Sequence, residues 1–364
     1  MIYLDNGATS FHKPESVHRA VAQALCSCAN PGRGGYPAAM KAARQVYRCR
    51  ETAAELFDSD PEQVVFTSNC THGLNIAIRT LVRPGDPVAI SGFEHNAVTR
   101  PLHVLGADIR VAGRRLFCWE DTLEEWEKTL RSGVRAAIFT HVSNVFGYIL
   151  PAAEMAALCR QYGVPFIVDA AQSAGTLPIS LKELGADFIA MPGHKGLLGP
   201  QGTGLLLCGA IPQPLLLGGT GSESENQQMP DFLPDRGEAG TVNVPGIAGL
   251  EAGLMYLRRE GTDKIRHREQ EAAMQCVQQL RQLGLKVFAG EHQLSTVSFV
   301  PEGDCEEFAQ RLARQGIAVR AGLHCAPLAH ESAGTLETGT VRVSFGLDAG
   351  VWQAFALRRA ILRM

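Results

Sequence analysis

No stretch of this 364-residue chain is apolar for long enough to cross a membrane. The longest apolar runs, PVAISG, FIVDAAQ and GLLLCG, fall far short of the roughly 20 residues that a spanning helix needs. Like charges do not cluster either. Lys and Arg number 34, Asp and Glu 37, and the net charge is -3, so neither nucleic acid nor an acidic membrane surface is an expected partner. The beginning, MIYLDNGATSFHKPESV, has no basic start followed by an apolar run. No signal peptide is expected, and the chain reads as cytoplasmic. Paired cysteines are missing too: there are 10 cysteines but no CxxC, and Cys26 and Cys28 form the one close pair. That excludes ribbon-type zinc sites, and no metal ligands are expected. A cytosolic setting argues against structural disulfides, so most of the cysteines should be small buried hydrophobes.

What is present is a regular alternation. VVFTS (64–68), PVAISG (87–92), ADIRVAG (107–113), AAIFTHVS (136–143), PFIVDAA (165–171), DFIAMPG (187–193) and TGLLLCG (203–209) read as strands. Between several of them lie helical stretches, at about 71–82, from Asn96, and at 151–163. Strands alternating with helices imply an α/β fold with a mostly parallel sheet covered on both faces. A polar, Gly- and Pro-rich segment follows at 218–243; loops of that length are usually functional. One long helix is expected from about Ala248 into the 280s. LSTVSFVP and a helix from about Cys305 then open a smaller α+β domain, with the boundary near 245–265.

The chemistry gathers at the ends of these strands. Asp169 closes an apolar strand, where α/β sheets place ligand-binding groups, although Asp is also a common helix cap. Lys195, in MPGHKGLLGPQGTG, lies 26 residues further on, one βαβ step away. An isolated GHK is more often a surface lysine; a desolvated one has a lowered pKa and becomes a nucleophile. An aspartate with a lysine on the next strand is what pyridoxal phosphate requires. The lysine holds the aldehyde and the carboxylate keeps the pyridine nitrogen protonated. Gln172 could reach the ring hydroxyl. Ser68 to Gly73, with the N–H groups at Cys70 and Thr71 and the Thr71 hydroxyl, would make an anion site at a helix start, or an ordinary capping turn. His95 could stack on a ring and pass protons, or be a satisfied structural histidine. Asn144 suits hydrogen bonding or a turn. Cys325 sits in RAGLHCA, with His324 beside it and Arg320 near to favour the thiolate. Arg342, in TVRVSFG, would grip a carboxylate if it faces inward.

At this point the chain resembles a known family, the class V, fold type I pyridoxal-phosphate enzymes, and within it the cysteine desulfurases and selenocysteine lyases. The resemblance is carried by YLDNGATS, NPGRGGY (30–36), EHNA, HVSNVFG, VDAAQSAG, GHKGLLGPQGTG, EAGTVN and RAGLHCA in that order. RAGLHCA is similar to the branch with a short, ordered cysteine loop, and CAPLAHESAGTLETGTVR resembles a shorter subfamily of it. The resemblance implies a large cofactor domain, 15–250, with a mostly parallel sheet of seven strands. A small domain would combine the arm 1–14 with an α+β part, 251–364. It implies Lys195 as the Schiff-base lysine, Asp169 as the pyridine partner, Gln172 at the ring oxygen and His95 on the ring. Cys70, Thr71 and His194 would hold the phosphate, with Thr241 reaching in from the partner of a homodimer. Asn144, Arg342 and Arg320 would bind the substrate carboxylate or line its mouth. Cys325 would carry sulfur from L-cysteine as a persulfide and pass it to an acceptor protein. L-selenocysteine is the alternative substrate, and a class V aminotransferase or β-lyase the alternative activity.

The chain departs from the family pattern in four places. Pro192 stands where the family has a phosphate-binding Ser or Thr, Asn69-Cys70-Thr71 replaces its usual turn, Tyr36 replaces a histidine, and Val242 a proline.

Overall fold

The apolar runs become strands and the stretches between them helices. The strands are β1 (Ile2–Tyr3), β2 (Val64–Thr67), β3 (Pro87–Ser91), β4 (Asp108–Ala112), β5 (Ala136–Thr140), β6 (Phe166–Asp169), β7 (Phe188–Pro192) and β8 (Gly204–Cys208), then β9 (Lys286–Phe288), β10 (Thr296–Val300), β11 (Ile317–Ala318), β12 (Arg320–Gly322) and β13 (Thr340–Ser344). The helices are α1 (Glu15–Ser27), α2 (Pro37–Phe57), α3 (Cys70–Leu81), α4 (Asn96–Leu105), α5 (Trp119–Arg131), α6 (Ala152–Gln161), α7 (Leu181–Leu184), α8 (Val244–Glu260), α9 (Thr262–Arg281), α10 (Cys305–Arg314), α11 (Pro327–Ala333) and α12 (Val351–Ile361). The structure, a computed structural model, describes residues 1–32 and 34–364; Arg33, in the NPGRGGY element, lies outside them.

The central sheet has seven strands in the order β2-β8-β7-β6-β5-β3-β4. From β7 to β4 every neighbouring pair is parallel. Strand β8 runs against both β7 and β2. The physical reason lies in the connection: residues 193–203 contain no helix, and a parallel return needs a crossover. Reversing twice sets β2 in the same direction as β7, so the start of α3 comes out at the edge where β3, β5, β6 and β7 end. Alternate residues of each strand enter two different cores. Val64, Phe66, Ala137, Phe139, Phe166 and Val168 face one, while Val65, Ala136, Ile138 and Ile167 face the other. Burial on both faces is why these strands read as unbroken apolar runs.

A second sheet, β12-β13-β10-β9, is antiparallel throughout. Its core takes in α9, α10 and α12 and also Leu4 from the other end of the chain. Strand β1 pairs with β11, and Asp5 bridges Ser344. The first residues are thus stitched to the last hundred.

The single long helix expected from Ala248 is two helices. Gly261, at φ +81, ends α8 and starts α9, because its left-handed backbone breaks the helical hydrogen-bond ladder. Among the described residues no helix is long and apolar enough to cross a membrane.

The 218–243 segment is irregular apart from one 3-10 turn at Asp235–Gly237. A buried ion pair fixes its end: Arg50 Nη2 lies 2.5 Å from Glu238 Oε2. Arg50 also donates to the Val64 carbonyl, and the Phe66 N–H donates to Glu238 Oε1 at 2.6 Å. Removing one member leaves the other charge buried alone. Arg50→Ala should therefore lower unfolding free energy by about 3–5 kcal/mol in urea denaturation. A loss below about 1 kcal/mol would mean that the pair is solvated.

Candidate active site

The cavity at the carboxyl edge of the central sheet has a volume of about 240 Å³. Asn69, Cys70 and Thr71 reach it from the start of α3, His95 from the end of β3, Thr140 and Asn144 from β5 and the turn beyond it. Asp169 and Gln172 come from β6, and Pro192, His194 and Lys195 from β7. Each follows a buried strand that ends at the same edge, so the fold converts scattered sequence positions into one wall. Asn69 caps α3 by accepting from the His72 N–H at 2.9 Å, which leaves the helix start turned to the cavity. The loop bearing Lys195 packs tightly at Gly175 (φ +90), where an added Cβ would sit 2.3 Å from the Gly196 carbonyl oxygen.

Burial sets the charges. Lys195 is pushed down to about 8 by desolvation and then by the Arg342 charge, with Asp169 opposing. At pH 7 such an amine is neutral for about a tenth of the time, far more than an ordinary lysine. Asp169 is 3 % exposed; one of its oxygens accepts from the Ala171 N–H at 2.9 Å and from the Cys70 thiol at 3.4 Å. The Cys70 thiol is held well above its usual pKa by burial and by that carboxylate, so Cys70 is a donor to Asp169 and no thiolate. His95 is shifted down, chiefly by burial. Its Nδ1 accepts from the Ala97 N–H at 3.0 Å, capping α4, so in the neutral ring the proton sits on Nε2. His95 both caps the helix and lines the cavity. His194 is lowered to about 4 by burial and the nearby Lys195 and Lys13.

The N-terminal arm, to which sequence reasoning gave no chemical role, closes one side. The Gly7 carbonyl accepts from Gln172 Nε2 at 3.0 Å. The His194 carbonyl accepts from the Ser10 N–H at 3.0 Å, and Thr9 Oγ1 lies 3.0 Å from His194 Nδ1. Asp5 accepts from Arg342 Nη2 at 2.7 Å and pairs with Arg320 at 3.0 Å. Arg342 is 2 % exposed and faces inward. It binds Asp5 and donates to the Asn144 carbonyl at 2.9 Å, so it stands directly behind a cavity residue. Arg320 is half exposed at the same carboxylate. The signal for Asp5 was an acidic residue following an apolar start in YLDN, too short to read without its partners.

Cys325 is exposed, beside the cavity rather than on its wall. It occupies a turn closed by the Ala326 N–H donating to the Leu323 carbonyl at 2.9 Å. His324 and Cys325 both have positive φ, 51° and 55°, which costs a non-glycine residue about 1–3 kcal/mol each. Two tethers hold the turn: Asn144 Nδ2 donates to the His324 carbonyl at 2.8 Å, and the Asn96 N–H to the Cys325 carbonyl at 2.7 Å. His324 is lowered to about 2 by burial and the Arg342 charge, so it brings no positive charge to the thiol, and Arg320 is committed to Asp5.

Thr241 does not join these groups within the chain. It lines a separate hollow of about 260 Å³ with Ser68, His72 and Glu238. Among the described residues no cluster of three or more His, Cys, Asp or Glu is placed to hold a metal.

The aminotransferase class-V family model matches residues 2–351. The chain belongs to the class-V aminotransferase family. A member from Methanothermobacter thermautotrophicus, named probable cysteine desulfurase, is 33% identical over 373 residues, covering 94% of this chain and 89% of the relative. The apo structure of a cysteine desulfurase from Thermococcus onnurineus superposes with a TM-score of 0.92 at 30% identity, over 100% of this chain and 94% of the other. The cysteine desulfurase CsdA of Escherichia coli, solved as an S-sulfonic acid, gives 0.83 at 28% identity, over 99% and 94%.

A buried residue missed in the sequence is the glutamate of EHNA. Glu94 is fully buried; it accepts from the Thr140 N–H at 2.7 Å and from the Ser91 hydroxyl. Its Oε2 has no partner among the described residues. Burial raises it from 4.5 to about 8. The unfolded chain therefore holds fewer protons than the folded one between those values, and stability falls as pH rises through that window. Glu94→Gln stays neutral and should escape this loss. Relative to wild type, it should gain on the order of a few kcal/mol between the low and high ends in urea denaturation. Parallel pH profiles for the two proteins would contradict a buried neutral acid.

Proposed function

We propose that the protein is a pyridoxal-phosphate-dependent cysteine desulfurase that converts L-cysteine to L-alanine and takes the sulfur on Cys325. One observation carries the reading: an exposed cysteine on a strained, tethered turn, bonded through its backbone to the wall of a cavity that contains Lys195 and Asp169. The names of the relatives agree with it.

The donor set fits the cofactor. A lysine amine of lowered pKa, a buried carboxylate, an imidazole and a helix start with the Thr71 hydroxyl surround one cavity. Pro192 on that wall supplies no donor, so the phosphate would rest on the N–H groups at Cys70 and Thr71, on Thr71 and on His194. When bound, the cofactor supplies an electron sink for charge developing at the substrate Cα. Asp169 would keep a proton on the pyridine nitrogen, Gln172 would bond the ring oxygen, and His95 would lie against the ring with its Nε2 proton available. Lys195 would hold the cofactor through its amine, and with a pKa of about 8 that amine could take a proton from the substrate Cα and return it. Asn144 receives the substrate carboxylate with Arg342 behind it and Arg320 at the mouth. The Cys325 thiolate then attacks the substrate sulfur. An S–S bond forms, the C–S bond breaks, and its electron pair stays with the carbon fragment that becomes alanine. The persulfide passes to a thiol of an acceptor protein.

Thr241 completes the phosphate site of a second copy in this reading. The separate hollow that holds Thr241, and the exposed Leu216 and Leu217 beside the 218–243 segment, support such a homodimer. Light scattering at micromolar concentration should give twice the chain mass; a monomer that retains cofactor would contradict it.

The activity is tested by alanine release from L-cysteine and L-selenocysteine. Lys195→Ala should be colourless and inactive on both. Cys325→Ala should keep the cofactor colour and lose cysteine turnover to near background, with part of the selenocysteine activity surviving because selenol leaves more readily. Wild-type alanine release from cysteine by Cys325→Ala would overturn the reading.

A further inference from the structure

The turn that carries Cys325 has a third support, which touches neither the cavity nor the thiol. His324 Nε2 lies 3.4 Å from the Arg320 carbonyl oxygen, and His324 Nδ1 lies 3.4 Å from His330 Nε2. His330 Nδ1 in turn lies 2.8 Å from Thr335 Oγ1. The two rings are nearly parallel, at 10°. His330 is fully buried, and His324 and Thr335 nearly so.

The proton order in this chain is fixed from one end. A carbonyl can only accept, so His324 Nε2 carries the proton and Nδ1 a lone pair. His330 Nε2 must therefore be the donor between the rings, which leaves His330 Nδ1 bare. The Thr335 hydroxyl is the group placed to donate to it. Both rings are neutral near neutral pH: burial lowers His330 to about 4 and, with Arg342, His324 to about 2. The hydroxyl end is itself anchored, because the Thr335 N–H donates to the His330 carbonyl at 2.9 Å just beyond α11. The other end rests on β12, which pairs with β13.

We infer that His330 and Thr335 are positioning residues for the sulfur carrier: the hydroxyl orients His330, His330 seats the His324 ring, and the seated ring holds the left-handed turn that presents Cys325. The inference rests on the proposal that Cys325 carries the sulfur. The side chains of His330 and Thr335 meet no substrate or cofactor in this reading, so their effect should fall on sulfur transfer and leave binding alone.

The test replaces the hydroxyl by an isosteric methyl. In the holoenzyme, Thr335→Val should lower kcat on L-cysteine about tenfold, the weight of one buried hydrogen bond lost from the seated turn. KM and cofactor content should stay at wild-type values. Independently of activity, hydrogen exchange at the Ala326 and Asn96 amides, which close and tether the turn, should quicken by a similar factor. Thr335→Ser restores the donor and should return both readings to wild type. Thr335→Ala serves as a second hydroxyl-free variant if valine prevents folding. Unchanged kcat and exchange in the hydroxyl-free variant would overturn the inference, as would a change in KM or cofactor content with kcat kept. A wild-type protein that releases no alanine would contradict the function proposed above, while the exchange measurement would still decide the seating of the turn.

Discussion

The Asp5 carboxylate ties the N-terminal arm to the small sheet and, through it, to the cavity. It lies on the N-terminal arm and meets two guanidinium groups, Arg342 from the centre of the small sheet and Arg320 from its edge. Through Arg342 it reaches the Asn144 carbonyl on the cavity side, and Asn144 in turn holds His324. Two cations share one anion in a largely buried place, so a positive excess remains behind the cavity. That excess helps to lower the Lys195 amine, and it suits a substrate that arrives with a carboxylate. Taking Asp5 away would leave Arg342 buried without a counter-charge, a strongly unfavourable state.

The same logic explains the short N-terminal arm. It carries little core of its own beyond Leu4, yet Gly7, Thr9 and Ser10 satisfy the polar groups of Gln172 and His194. Buried polar groups need partners. The arm provides them at the point where the sheet edge would otherwise be open, and it holds two residues of the cavity wall in place from outside the sheet.

Much of this was legible in the residues alone, and the remainder was hidden for physical reasons. The parallel strands could be read because burial on both faces leaves continuous apolar runs, and Asp169 and Lys195 could be read because strand ends carry the chemistry. The reversal of β8 was not, since its signal is the shortness of 193–203 rather than any residue. The break at Gly261 was overlooked inside a helical pattern that continues on both sides. Asp5, Glu94, His330 and Thr335 owe their roles to partners distant in sequence or across a helix, and nothing in their immediate neighbours announces them. His324 shows the opposite case: adjacency to Cys325 suggested a charge, whereas burial makes it neutral and structural.

Strain and exposure converge on Cys325. Two successive left-handed residues are maintained where a relaxed turn would serve a purely structural cysteine, and eight of the other nine cysteines are less exposed. The most direct measurement is the location of the transferred sulfur. Wild-type holoenzyme incubated with L-cysteine, alkylated without reductant and digested, should show by mass spectrometry one added sulfur atom on the peptide that contains Cys325 and on no other cysteine peptide. Added sulfur on the Cys70 peptide, with none on that of Cys325, would contradict the account.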